Sequence, residues 1–176
     1  MKTRKLFLVL VLVVILLLGT VFVANAANKI RVNGGVNNTL FGIGWEWIRV
    51  NLTIDPVTHE AIGETNYMFY EDEYGKEFKF SWRGEAVCAA MGEFEGLPTI
   101  AVVTKIVEQR NIDPSWVGKY VKTTISDGGP KASEDIVGIV EFDYDNGSPV
   151  TDQPSCDFEE PFLWYFSQNG NLTIHD

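Results

Sequence analysis

FKFSWRGEAVCAAMGEFEGLPTIAVVTKIV, residues 78–107, decides the fold. Phe78, Phe80 and Trp82 alternate with Lys79, Ser81 and Arg83, the period of two that a half-buried strand requires. Gly84 interrupts the pattern as a kink or bulge. A second strand then carries Cys88, a turn falls within Glu93–Pro98, and a third strand follows. The stretch reads as the middle of an antiparallel meander.

The flanks repeat the same grammar. Upstream, Phe41–Ile54 is rich in strand formers. Phe41, Ile43, Trp45 and Trp47 share one parity, whereas Ile48, Val50, Leu52 and Ile54 hold the other. A parity change without a turn signal predicts a bulge, or a strand passing from one buried face to another. Ala61–Asp72 is a further strand, closed by the turn Glu73–Lys76. Downstream, strands are expected over Val117–Ser126, Ile136–Tyr144, Phe162–Phe166 and Leu172–Ile174. The turns between them are Asp127–Pro130, a loop from Asp145, and Gln168–Gly170. No helix of ordinary length is expected, because no window of 11 residues beyond residue 26 keeps a 3.6 period. About eight sequential strands must close or fold over to protect their edges. The expected fold is therefore an all-β, antiparallel up-and-down β-barrel of about eight strands, with a two-sheet β-sandwich as the alternative.

Residues 1–26 stand apart from this pattern. Lys2, Arg4 and Lys5 precede the apolar run Leu6–Val23, and Ala24-Asn25-Ala26 supplies small residues where a signal peptidase reads. The reading is a cleaved secretory signal peptide over 1–26, a loose N-terminal leader over 27–40, and a β-barrel domain over 41–176. The alternative is an uncleaved membrane anchor. Localisation is expected to be secreted and extracellular, with no membrane association after cleavage. Removing three of 14 basic residues and none of 24 acidic ones leaves 11 − 24, a net charge of −13. Such a surface offers no attraction to nucleic acid or to an anionic membrane. Two cysteines, Cys88 and Cys156, allow a single pairing in an oxidising compartment.

Candidate chemistry is sparse. Glu46 lies between Trp45 and Trp47. Strict alternation makes it an outward carboxylate between inward tryptophans; pointed into a barrel, it would have a raised pKa and suit acid–base work. Trp45, Trp47 and Trp82, with Glu46, are the candidate ligand-binding residues, for a small hydrophobic or carbohydrate ligand. The competing reading of these aromatics, 22 of 176 residues, is core filling. Asp143, Asp145 and Asp152 are weak candidates for calcium, against ordinary turn chemistry in DYDNGSPVTD, where Pro154 stands in place of the bidentate Glu of an EF-hand. Asp127, Glu134 and Asp135 read the same way, as turn residues before a metal site. No cofactor is expected. His59 and His175 have no zinc-ligand spacing, and no nucleophile elbow is present.

Three segments resemble a known family. Arg83–Cys88 with Ala89 looks like a strand of the form G-x-V-x-C. Asp127-Gly128-Gly129-Pro130 with Asp135 is similar to a D-N-G-x-P…D turn, with Gly128 where Asn is more usual. Gly170–His175 resembles a closing G-N-[VIL]-x-[VI]-H segment, and Cys156 occupies the loop before it. Their order resembles the post-COAP-like family of small secreted bacterial all-β domains, from about Gly42 to the end. The resemblance implies secretion, a barrel-like fold and a Cys88–Cys156 bridge, and it brings no activity. The expected function is a non-enzymatic binding or structural role at the cell exterior. The alternative is an extracellular enzyme using paired carboxylates on a glycan or small hydrophobic substrate.

Overall fold

In the computed structural model the described residues are 29–40, 44–71, 78–129, 135–141, 148–161, 163–166 and 169–175. They form nine strands: β1 Ile30–Leu40, β2 Gly44–Ile54, β3 Ala61–Tyr70, β4 Phe78–Phe94, β5 Leu97–Arg110, β6 Tyr120–Ser126, β7 Ile136–Glu141, β8 Leu163–Phe166 and β9 Asn169–His175. All belong to one antiparallel sheet in the order β8-β7-β6-β5-β4-β3-β2-β1-β9. The sheet curls into a half-barrel, so the barrel-like reading holds over the sandwich. The only helical turn among the described residues is the 3-10 segment Pro114–Trp116.

The central stretch is two long strands, not three. Residues 78–94 run without a break, and the expected irregularity at Gly84 is a register shift between Arg83 and Gly84. A second shift lies between Ala86 and Cys88. The hairpin turns at Glu95 and Gly96, both at positive φ. Gly84 has a packing role besides: a Cβ there would collide with the Thr104 methyl group. Thr104 instead accepts a buried hydrogen bond from Thr65 Oγ1 at 3.0 Å.

The segment expected to be a leader, 27–40, supplies β1. It pairs with β2 on one side and β9 on the other, so its polar residues are held by main-chain bonding on both edges. Its inward side chains Ile30, Val32 and Val36 are buried. The expected turn at Gln168–Gly170 also differs, since Asn169 and Gly170 already belong to β9. Residues 1–28, and with them the expected signal segment, lie outside the described residues. No helix among the described residues is long and apolar enough to cross a membrane.

Chain continuity bends the sheet. β8 ends at Phe166 on one edge and β9 begins at Asn169 on the other. Three peptide steps span at most about 11 Å, so the two edges converge there. The seam is held by carboxylates. Leu172 N–H donates to Asp135 Oδ2 at 3.0 Å, and Ile174 N–H donates to Asp127 Oδ2 at 2.9 Å. Their other oxygens accept from Gly128 N–H and Gly129 N–H. Asp127 and Asp135 thus cap main-chain donors on the edge of β9 that β1 leaves unpaired. Asp135 is fully buried. Asp135→Asn is expected to cost about 2 kcal/mol, because an amide NH2 then faces an N–H donor in a dry site. Urea denaturation reads the loss, and faster amide exchange at Leu172 locates it.

The inner face carries Val32, Val36, Val50, Leu52, Ile54, Ile100, Val102, Ile125 and Leu172 as one apolar cluster. A second buried layer lies outside the sheet. Ala101, Val103, Lys122 and Thr124 face away from that cluster, yet none exceeds 2% exposure. The segment 148–161 covers them as a strap. Val150 exchanges two main-chain hydrogen bonds with Tyr120. Cys156 is disulfide-bonded to Cys88, with Cα atoms 5.7 Å apart. Phe158 lies over Gly92 and Pro161 over Gly138, where added Cβ atoms would collide with them. Lys122 Nζ meets Glu159 Oε1 at 2.7 Å, and Ser155 Oγ donates to the same oxygen at 3.0 Å. The bond from Lys122 holds the Glu159 carboxyl below its ordinary pKa.

Candidate functional site

The parity of β2 decides the site. Its register with β1 and β3 runs without a shift from Trp45 to Ile54. Val50, Leu52 and Ile54 belong to the inner cluster, so Glu46 and Ile48 face inward with them. The expected bulge in this strand is absent. The expected orientation is reversed as well: Glu46 is inward and 2% exposed. Local alternation around Glu46 fitted either face; the packing of the second half of the strand chose.

Around Glu46 the inner face is aromatic. Tyr67 and Phe69 stand on β3, and their Cα partners on β4 are Trp82 and Phe80. The rings form a ladder, with Tyr67 5.6 Å from Trp82 and 5.9 Å from Phe80, and Phe69 5.3 Å from Phe80. Trp116, carried on the 3-10 turn, meets Phe80 edge-on at 6.3 Å. Asp113 caps that turn by accepting from Ser115 N–H at 2.8 Å. All five rings are half-buried, whereas Leu52, Ile54 and Ile106 deeper inside are closed off. The half-barrel is therefore closed off at its aliphatic end, and the partly exposed rings lie at the Glu46 end. The Thr65–Thr104 pair forms a polar layer between the two regions.

Tyr67 donates its hydroxyl to Glu46 Oε2 at 2.8 Å. The other oxygen, Glu46 Oε1, is buried without a hydrogen-bond partner. Burial pushes the Glu46 carboxyl from 4.5 up to about 7, with the Tyr67 bond opposing it. Tyr67 is in turn raised well above 10.0, by burial first and by the neighbouring carboxylate second. Burial thus favours the neutral acid of Glu46 well above the pH at which an ordinary carboxyl ionises. Sequence reasoning singled out Glu46 and Trp82 but gave Tyr67 no role beside Glu46. Its partnership is a cross-strand one, carried by the register Glu46↔Phe69 and Ile48↔Tyr67.

The remaining candidates disperse. Trp47 lies on the outer face, at a groove of about 360 Å³ that also includes Arg49, Asn66, Arg83 and Glu108. There Arg83 is held by Glu108 at 3.2 Å and Glu64 at 3.7 Å. Tyr67 and Trp82 also border that groove, whereas Glu46 is not among its lining residues, so Trp47 is separated from Glu46 but not from Trp82. The side chain of Trp45 lies outside those described, as do Asp143 and Asp145. Asp152 is exposed in the strap. Among the described residues no group of three or more His, Cys, Asp or Glu is placed to hold a metal ion. Asp127 and Asp135, read as a turn, do more than turn the chain: they bind the edge of β9. No protein-family model, curated protein or solved structure matches the chain.

Proposed function

We propose that this protein is a secreted β-barrel binding module, acting at the cell exterior by taking a small ligand into the partly exposed, aromatic end of the half-barrel. The observation that carries this reading is Glu46 Oε1, a buried acceptor without a partner beside half-buried rings. A buried polar atom left unsatisfied costs about 1–3 kcal/mol, and a ligand group that meets it recovers that cost. Aromatic walls with one oriented polar group are the usual make-up of a small-molecule site. The disulfide accords with an oxidising exterior, and so does the resemblance to the post-COAP-like family.

A catalytic role on glycans needs a second carboxylate about 5–10 Å away. Among the described residues, the inner-face positions nearest Glu46 are Asn38, Ile48, Tyr67 and Phe69, none of them acidic. That favours binding over hydrolysis. Tryptophan emission provides the test, with benzyl alcohol and a methyl glycoside as probes. A ligand in the mouth is expected to quench emission in the wild type and in Trp47→Phe, and to lose most of that effect in Trp82→Phe. Equal quenching in both variants, or none in the wild type, would sink the reading.

A further inference from the structure

We propose that the ligand class is an organic ammonium ion, its N–H donated to Glu46 Oε1 and its apolar body set against the rings of Tyr67, Phe80 and Trp82. This rests on the binding reading given above and adds the charge of the ligand to it.

The argument begins with what the site lacks. Glu46 is buried with a hydroxyl for one oxygen and nothing for the other. The groups facing it are Ile48 along β2, Tyr67 and Phe69 on β3, and Phe80 and Trp82 one strand further, on β4. On the β1 side its Cα partner is Asn38. None of these residues is basic, and Tyr67 is the one other titratable group among them. A buried carboxylate without a counter-ion must acquire a positive charge or a proton. In the free protein a proton serves, since burial pushes the carboxyl up to about 7. A ligand ammonium can replace that proton, bringing both the charge and the N–H that Oε1 needs.

Two independent features select for a cation. Aromatic faces attract ammonium groups through the ring quadrupole, more strongly where water is excluded. The chain also carries 24 acidic against 14 basic residues, so its field draws cations and repels anions. A neutral sugar would use the same rings and oxygen but would gain nothing from either charge.

The exchange of proton for cation has a measurable signature. Benzylamine, cationic across the range, is compared with benzyl alcohol, its neutral counterpart, by titration calorimetry at pH 6 and pH 8. Repeating each in two buffers of different ionisation heat counts the protons released. Benzylamine is expected to release about one proton at pH 6 and almost none at pH 8, and to bind about tenfold more tightly at pH 8. Benzyl alcohol is expected to bind without proton release and without that pH dependence. Glu46→Gln is expected to abolish the preference for the amine while still binding the alcohol. Equal affinity for both probes without proton release would overturn the ammonium class and leave the binding module standing. Failure of both probes to bind wild type, with the protein folded, would remove the binding reading itself.

Discussion

Glu46→Gln is expected to stabilise the protein by about 3 kcal/mol at pH 8 and to leave it nearly unchanged at pH 4. The carboxyl rises from 4.5 in the unfolded chain to about 7 in the folded one, mainly through burial. At about 1.4 kcal/mol per tenfold, that is about 3 kcal/mol in favour of the neutral acid. The folded state holds the proton more tightly, so stability is fully present below 4.5. It falls as pH rises toward 7 and is flat above it. Glutamine keeps a carbonyl for the Tyr67 hydroxyl and carries no charge to bury. Paired urea melts of wild type and variant, from pH 4 to pH 8, isolate this group because every other titration cancels in the difference. A difference that did not change with pH would show that Glu46 is solvated in the folded state. The wild type then keeps a costly carboxyl where an amide would be more stable, as expected of a group retained for binding.

Replacing both cysteines, Cys88→Ser with Cys156→Ser, is expected to lower stability by about 4 kcal/mol. The bridge closes 68 residues, and the chain-entropy model gives that magnitude for such a loop. For a domain of this size the melting temperature should fall by roughly 10 °C. The structure adds where the loss is felt first. Cys156 pins the strap that covers Ala101, Val103 and Lys122 on the outer face. Without it, the strap is left to contacts such as those of Val150, Phe158, Glu159 and Pro161, and Lys122 gains water. Amide exchange should quicken in β5 and β6 while the Glu46 end, on the inner face, still binds its probe. A melting point within about 2 °C of wild type would mean that the strap is held without the bridge.

Much of the architecture was legible because period-two alternation is local. The strand character of residues 78–107, the irregularity at Gly84 and the absence of long helices among the described residues followed from it. The pairing of Cys88 with Cys156 followed from having two cysteines. β1 was hidden because Gly34, Gly35 and its asparagines dilute the pattern of Ile30, Val32 and Val36. Its strand character comes from the two neighbours that bond it, not from its own residues. The strap was legible only as a loop, since nothing local says that Phe158 will lie over Gly92.

The site was half legible for the same reason. Sequence brought Glu46 and Trp82 forward but paired Glu46 with Trp45 and Trp47, its neighbours along the chain. In a strand such neighbours point to opposite faces, and the residues that matter sit across from it. By itself the sequence determined an acidic, all-β chain with one available disulfide, because composition and alternation are properties of short stretches. Only the tertiary structure decided which face of β2 is inside, and that β9 closes against Asp127 and Asp135. Those choices depend on which distant strands pair, and a two-residue period is equally satisfied by either face until the partners are in place.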